Sequence, residues 1–414
     1  MSLSLYLAQH ITLSHSGHRS SGGLAVAIGG IALAVVVMII SMSVMEGFRR
    51  EIRNKIMGFD AQLTIVPTAS GDDGNMWLKM DCLGGMIDSL PTGVTAELAM
   101  RQPAIMKSSG DFTGVVVKGI DPGHNWDFIK QNLVAGAVPD FAADSTEFHI
   151  VLSRLACRDL GVTLGDRIDT YFLGSSSYRA RRLKVVGIYD THFSDYDRQV
   201  VYASLPMLRR VTGAPDSTSL LIEITGIETD EMIDALAEQI SDTLRLRLLA
   251  HPSAPPLRVA NIHDSAALYF NWLSLLDTNV TVLLALMALL SSLTLVSSLF
   301  ILVLRRVNMI GVLKALGASN RLVRRTFILM TMRILIYGLL VGNLLAIALI
   351  SLQQYTAILP LDPEAYYLDH VPVALNWYAI ALLNAAVMLL SAVILILPSA
   401  IVSTIPPSSA INYE

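Results

Sequence analysis

Four stretches of the chain, Gly22 to Met45, Thr278 to Leu304, Ile334 to Leu359 and Ala374 to about Pro398, contain no Asp, Glu, Lys or Arg. A helix of about 20 residues crosses a hydrocarbon core roughly 30 Å thick, so each stretch is long enough to span a membrane. The first two enclose residues 47–276, which have a different texture. There, β-type runs bounded by Gly, Pro, Asp and Ser follow one another: Gln62 to Val66, Gly114 to Gly119, His149 to Ser153, Arg167 to Leu173, Leu183 to Tyr189, Gln199 to Ala203 and Ser219 to Thr225. A polar amphipathic helix is predicted from Thr229 to about Leu246. Ala254, Pro255 and Pro256 then break the chain before Val259 to Trp272 leads into the second span. The pattern predicts a membrane protein with four transmembrane helices and an α+β domain inserted between helices 1 and 2.

Charge orients the spans. Arg305 to Arg333, between the second and third, holds seven Lys or Arg and no Asp or Glu. A short basic loop of this kind stays cytoplasmic, which places the inserted domain on the opposite face. The loop between the third and fourth spans carries Asp362, Glu364 and Asp369 with no Lys or Arg, as an outer loop should. The expected division is a cytoplasmic segment 1–21, helices at 22–46, 277–304, 334–359 and 374–398, an extracytoplasmic domain with helical stalks at 47–276, a cytoplasmic loop at 305–333, an outer loop at 360–373 and a cytoplasmic tail at 399–414. The first apolar stretch is longer than a secretory h-region and follows some twenty residues, so it reads as a span and not as a cleaved signal.

Composition agrees with a chain that is part membrane and part globular: 53% apolar, 15% charged, mean hydropathy +0.54. A formal net charge of −4 argues against a nucleic-acid partner. Cys82 and Cys157 both fall in the inserted domain, where an oxidising compartment permits a disulfide; the sequence leaves open whether they meet.

Catalytic chemistry finds little support. Asp190, His192, Asp195 and Asp197 form the densest polar cluster, but their spacing matches no established ligand set, and a loop between strands looks the same. HExxH, GxSxG and paired CxxC are missing, as is the Walker A pattern that cradles nucleotide phosphates. Any ATP is therefore hydrolysed on another chain. Spans without ionisable groups also argue against a proton or sodium relay, and Asn343 and Asn384 are expected to hydrogen-bond between helices. Ala25 with Gly29, Gly30 with Ala34, and Ser291, Ser292, Ser297 and Ser298 offer small-residue faces for helix packing or subunit assembly.

Two apolar patterns lie outside the spans. Phe48, Ile52, Ile56 and Phe59 recur at helical spacing just after the first, among Arg49, Arg50, Glu51, Arg53 and Lys55. This stripe either packs on its own domain or lines a path for an apolar ligand leaving the bilayer. In the basic segment, Ile310 to Leu316 makes a short helix, Gly317 is suited to a left-handed stop, and Ser319 or Asn320 caps the next helix. Such a knuckle, with Ile310, Val312, Leu313 and Leu316 facing water, fits the groove of a partner.

The run Asn308-Met309-Ile310-Gly311-Val312-Leu313-Lys314-Ala315-Leu316-Gly317-Ala318-Ser319 resembles the coupling segment of FtsX-like ABC permeases, a family that includes the MacB efflux pumps and the LolC/LolE lipoprotein-releasing permeases. Ser43 to Phe48 with Arg49 to Phe59, Val117 to Gly123, Val185 to Tyr189 with Tyr196-Asp197, and Pro406 to Ile411 are similar to further segments of the Lol branch. The resemblance covers nearly the whole chain. Two departures stand out: Met309 occupies a position that is acidic in many relatives, and the connection Gly174 to Ala180 is short where one paralogue has a carrier-hooking hairpin.

The resemblance implies a MacB-like periplasmic core domain and a non-catalytic permease in the inner membrane of a Gram-negative bacterium. It also implies a second copy or paralogue of the chain, and a separate LolD-like ABC ATPase that binds ATP and Mg, this chain holding no cofactor. Acylated lipoproteins, membrane lipid and a LolA-like periplasmic carrier complete the implied partners. Met309, Ile310, Gly311, Leu313, Lys314, Leu316 and Gly317 then contact the ATPase. Met45, Phe48, Ile52, Ile56 and Leu284 line the lipoprotein path, and Ser175, Tyr178 and Arg179 meet the carrier. MacB-like efflux, or an FtsX-like module that signals to a periplasmic hydrolase without transport, are the alternatives left open.

The charge asymmetry yields the first prediction. A cysteine introduced at Ser319 is shielded from an impermeant thiol reagent in intact cells, and one at Ala365 is labelled; reversed labelling overturns the orientation.

Overall fold

The computed structural model describes residues 21–404 apart from 69–76, 109–110, 175–177, 253–254, 305–309, 311 and 313. In chain order the helices and strands are α1 (Ser21–Phe59), β1 (Leu63–Pro67), β2 (Thr95–Lys107), β3 (Phe112–Ile120), α2 (Asp127–Gln131), β4 (Leu133–Gly136), β5 (His149–Ser153), α3 (Arg154–Leu160), β6 (Arg167–Leu173), β7 (Tyr178–Tyr189) and α4 (Ser194–Gln199). They continue as β8 (Val200–Ser204), α5 (Leu205–Thr212), β9 (Leu221–Thr225), α6 (Asp230–Ala250), β10 (Leu257–Asn261), α7 (Ile262–Ser265), α8 (Ala267–Leu304), α9 (Asn320–Thr356), α10 (Pro363–Tyr366) and α11 (Trp377–Thr404). The chain forms two compact units. One takes the residues up to Arg49, Trp272–Pro360 and those from His370 onward; the other takes Arg50–Asn271 together with Leu361–Asp369.

Among the described residues, four helices are long and apolar enough to cross a membrane: Ala25–Phe59, Ala267–Ile301, Asn320–Thr356 and Trp377–Ile396. The helices outrun the charge-free stretches. α1 continues without a break to Phe59, and α9 begins at Asn320, so Arg321, Arg324, Arg325 and Arg333 of the basic segment are helical.

Within the first unit, Ile31, Val35 and Ile39 of α1 pack with Leu295 and Leu299 of α8, Leu335 and Leu339 of α9, and Val387 of α11. Close approach of α1 and α9 comes from two glycines of α9. A Cβ on Gly338 would lie 2.6 Å from Ile31 Cγ2, and one on Gly342 would lie 2.8 Å from Val35 Cβ and 2.9 Å from the Ala32 carbonyl. Their four-residue spacing puts both on one face of α9 and lets the helices touch along their backbones. Of the two small-residue faces expected on α1, the position beside Gly30 meets Thr294 at 3.3 Å, whereas Gly29 has nothing within 4 Å and Ala25 is exposed. Asn343 and Asn384 exchange amide hydrogen bonds of 2.8 and 2.9 Å between α9 and α11, as expected.

The second unit is built on a ten-stranded sheet ordered β10-β1-β9-β2-β3-β8-β5-β7-β4, with β6 pairing β2 and β7. That double pairing closes a ring of hydrogen-bonded strands, β2-β3-β8-β5-β7-β6. β2 is long enough to serve two partners on one edge: Thr95–Ala99 lie against β9, and Ala104–Lys107 lie against β6. Ile150, Val151, Leu152, Leu183, Val185 and Val201 are fully buried. Hydroxyl caps start the surrounding helices, with Ser153, Ser204 and Thr229 each accepting a backbone N–H. β2, β4 and β10 lie outside the runs expected from the sequence, and β7 begins five residues before Leu183. Cys82 and Cys157 are both free thiols, Cys157 buried.

The glycine contact gives a prediction. Gly342→Leu drives a side chain into the Ala32 backbone and costs about 1–3 kcal/mol of stability, the range for overpacking. Thermal unfolding of the detergent-solubilised chain reads this as a lowered midpoint, while Gly29→Leu, in open space, leaves the midpoint unchanged.

Candidate functional site: the basic knuckle and the junction of the α+β domain

The basic knuckle has the expected backbone punctuation. Gly317 sits at φ +91°, a left-handed value that favours glycine, and Ser319 accepts a 3.3 Å hydrogen bond from the Leu322 N–H to begin α9. Its side chains divide. Val312 is 54% exposed and Leu316 80%, and Lys314 is half-buried. Ile310 is fully buried in the core of the first unit, which removes it from the set expected to face a partner. Met309, Gly311 and Leu313 lie outside the described residues.

The stripe after the first span also resolves into two parts. Ile52, Ile56 and Phe59 are buried in the α+β unit, and Phe59 packs against Phe128 at 5.3 Å, Tyr196 at 4.9 Å and Phe193 at 6.4 Å between ring centroids. These residues are the domain's own core, so Ile52 and Ile56 are corrected from the lining of an apolar path. Met45 is buried, Phe48 half-buried, and Leu284 half-buried against the core of the first unit. Among the residues expected to meet a carrier, Tyr178 is 73% exposed, with its ring 6.3 Å from that of Tyr171. Arg179 donates to the carbonyls of Arg210 and Val211 at 3.1 and 2.7 Å, which satisfies the C-terminal end of α5. Ser175 lies outside the described residues.

The cluster Asp190–Asp197 sends its side chains to different partners. Asp190 lies 2.9 Å from His192 Nδ1 and 3.0 Å from Arg154, and buried Asp197 accepts from the Thr191 hydroxyl and N–H at 2.7 and 3.2 Å. Asp195 Oδ2 accepts from the hydroxyls of both Tyr269 and Tyr367, each at 2.9 Å. Lys55 donates to the carbonyls of Thr191 and Tyr367 at 2.5 and 2.8 Å. Phe193, fully buried, packs its ring 5.1 Å from Tyr269 and 4.9 Å from Tyr367. Burial pushes the Asp197 carboxyl up to about 6. The hydrogen bond to Asp190 raises the pKa of His192.

A second charged group sits beside it. Lys118 donates to the Phe59 carbonyl at 2.8 Å and pairs with Glu223 at 2.8 Å, while Arg101 pairs with Glu223 at 2.9 Å and with Asp60 at 2.6 Å. The Tyr196 hydroxyl donates to Asp60 at 2.5 Å. Burial alone raises the pKa of Glu223, but Lys118 and Arg101 outweigh it and hold the carboxyl at about 2. Sequence reading assigned no role to these groups. The available signal was a lone charge inside an apolar strand, Lys118 in Gly114–Ile120 and Glu223 in Leu221–Ile224, each of which demands a partner once buried.

Among the described residues, four membrane-length helices, an inserted α+β domain and a basic knuckle make up the framework of a membrane permease. The comparisons agree with that class. Residues 24–243 match the MacB-like periplasmic core domain family, and residues 281–407 match the FtsX-like permease C-terminal family. The first match covers more than half of the chain, and the chain belongs to the MacB-like periplasmic core domain family, with an FtsX-like permease segment following.

Among individual proteins, it is similar to the lipoprotein-releasing system transmembrane protein LolC of Xylella fastidiosa (strain Temecula1), 24% identical over 93% of this chain and 92% of that one. LolC of Neisseria meningitidis serogroup B (strain MC58) is 22% identical over 94% of each. Similar solved structures include the periplasmic region of MacB from Actinobacillus actinomycetemcomitans, with 14% identity over 53% of this chain and 98% of that one at a TM-score of 0.34. The extracellular domain of the transporter YknZ from Gram-positive bacteria gives 17%, 48%, 99% and 0.33 for the same quantities.

The two shifted carboxyls predict opposite pH responses. A carboxyl held below its unfolded value adds stability that is complete above that value and is lost as pH falls. For Glu223 the window runs from pH 4.5 down to about 2, and the loss is on the order of 3 kcal/mol. Asp197 has a raised pKa, so its contribution is complete below pH 3.8 and is lost as pH rises through about 6. Urea unfolding of the solubilised chain followed at Trp126 tests both: Glu223→Gln flattens the acid limb, and Asp197→Asn flattens the change between pH 4 and 7.

Proposed function

We propose that this chain is the transmembrane subunit of an ABC transporter that extracts lipoproteins from the inner membrane of a Gram-negative bacterium and passes them to a periplasmic carrier. The observation that carries the reading is the similarity to LolC-type proteins along 93–94% of the chain. The missing Walker A pattern fits a subunit whose ATP, with Mg, is bound and hydrolysed by a separate ATPase. Exposed Val312 and Leu316 beside Lys314 are the contact offered to that ATPase, with Met309, Gly311, Leu313 and Gly317 completing the knuckle. The inserted domain lies in the periplasm, and a second copy or paralogue completes the membrane assembly.

The acyl path runs by Met45, Phe48 and Leu284, the members of the expected set that the α+β core does not absorb. At ~0.8 kcal/mol per buried CH₂, withdrawing two or three long acyl chains costs on the order of 20 to 40 kcal/mol, so an external motor is required. Covalent chemistry is not. Tyr178, the exposed first residue of β7, is offered to the carrier.

The test is reconstitution of the chain with its second permease subunit and ATPase in proteoliposomes. A photocrosslinker at Leu284 captures acylated lipoprotein, and the adduct falls when ATP and a carrier are supplied. Leu316→Glu lowers ATP-driven release without changing the thermal stability of the chain. Robust ATP hydrolysis by the purified chain alone, or an adduct indifferent to ATP, sinks the proposal.

A further inference from the structure

The α+β unit holds a cavity of about 270 Å³ beside Phe59, and every residue that lines it belongs to that unit. Its wall is mostly apolar, formed by the rings of Phe59, Tyr196 and Tyr269 and the side chains of Val116 and Val200. Against this wall stand Asp60, Arg101, Lys118 and Asp195. Three of these charges are already matched. Lys118 and Arg101 pair with Glu223, and Arg101 pairs also with Asp60, so two cations face two carboxylates in a neutral group. Asp195 has no paired cation among the described residues and remains the uncompensated charge of the cavity.

The hydrogen bonds already made decide which ligand fits. Tyr269 and Tyr367 both donate to Asp195 Oδ2, which leaves Oδ1 without a partner among the described residues. The Tyr196 hydroxyl donates to Asp60. With their protons committed, the Tyr196 and Tyr269 oxygens offer lone pairs, and the exposed Gln199 amide adds a further oxygen to the wall. The cavity is therefore rich in acceptors and carries one negative charge, which repels an anion. A bare metal ion fits poorly too: among the described residues no three His, Cys, Asp or Glu side chains gather to hold one, and aromatic walls do not replace its water. A group with several N–H donors, a positive charge and an apolar stem satisfies every part of the wall.

We propose that this cavity binds a primary alkylammonium group, with the ammonium donating to Asp195 Oδ1 and the Gln199 amide oxygen and the alkyl stem lying against the rings of Tyr196 and Tyr269. Those rings are neighbours, 6.0 Å apart between centroids and inclined at 40°, and form one continuous wall. A cation held within about 6 Å of such rings is attracted to them in addition to its hydrogen bonds. The same chemistry occurs free, as a small amine, and on lipid, as an ethanolamine headgroup; the site reads the shared ammonium. The inference concerns the α+β unit alone and holds whether or not the chain releases lipoprotein.

The test is calorimetric titration of n-butylamine, at neutral pH where it is the ammonium, into the full chain held in phosphatidylcholine nanodiscs, with n-butanol as the neutral match. The wild type binds butylamine about tenfold more tightly than butanol, the size expected for one charge-assisted hydrogen bond. Asp195→Asn keeps an acceptor for the tyrosines and lowers butylamine affinity by about the same factor. Tyr269→Leu removes a ring face and lowers it about threefold. Glu238→Gln removes a carboxylate from the exposed side of α6 and leaves it unchanged. A diazirine analogue of the amine labels the wild type at Asp195–Val200 or Tyr269. Exchanging phosphatidylcholine for phosphatidylethanolamine weakens butylamine binding where a lipid headgroup is the natural occupant and leaves it unchanged where a free amine is.

Equal affinity of the wild type for butylamine and butanol overturns the proposal, as does undiminished binding by Asp195→Asn. Labelling found only outside the α+β unit overturns it as well. The butanol comparison and the labelling use the wild type, so they decide the question even where a variant fails to fold.

Discussion

Burying an ammonium is tolerable only where its partners are fixed, and Lys118 is the point on which the α+β unit depends. Its charge is taken up by Glu223 on one side and by the Phe59 carbonyl at the end of α1 on the other. That carbonyl lies at the negative end of a helix, where a cation is favoured. Arg101 repeats the arrangement with Glu223 and Asp60. Removing one partner from a buried pair costs about 3–5 kcal/mol, because the remaining charge is stranded. The last turn of α1 and strands β2, β3 and β9 are therefore held as one piece. The aromatic rings of Phe59, Phe193 and Tyr196 pack beside that piece and not on a mobile surface.

What could be read from the chain follows the range of each interaction. The spans were legible because an uncharged run of their length has few other uses, and β5 and β6 because their turn residues bound them closely. β2 was not, since Pro103 in its middle suggests an interruption. The structure accommodates that proline opposite Val116 of β3, in the gap between the stretch of β2 that pairs β9, Thr95–Ala99, and the stretch that pairs β6, Ala104–Lys107. β10 was hidden by its context: after Pro255 and Pro256 the run resembles the approach to a helix, and only β1, nearly 200 residues earlier in the chain, makes it a strand. The glycines of α9 were missed for a simpler reason. Small residues are conspicuous on α1, whereas the close approach needs them on either helix, and Gly338 and Gly342 supply it against the branched side chains of α1.

The candidate site divides in the same way. Gly317 and Ser319 announce the knuckle because a left-handed stop and a hydroxyl cap are local requirements that few residue types satisfy. Ile310 shows the limit of that reading: apolar periodicity identifies a face without saying whether a partner or the chain itself covers it. The Phe48 to Phe59 stripe raises the same question and receives two answers, with Ile52, Ile56 and Phe59 going to the core and Phe48 remaining half-buried. Asp195 gave no usable signal. A single carboxylate in a loop becomes significant only when Tyr269 and Tyr367 arrive, and both contacts are distant in sequence, by 74 and 172 positions.

The two units rely on different physics. Among the described spans, packing comes from glycine contacts, apolar side chains and one pair of asparagines, so helices can slide past one another without stranding a charge. The α+β unit has a closed ring of strands and a buried ionic group, and its core resists shear because every displacement breaks directional bonds. Asp195 and its two tyrosines differ from that core in lying at an exposed rim, where water competes for their hydrogen bonds.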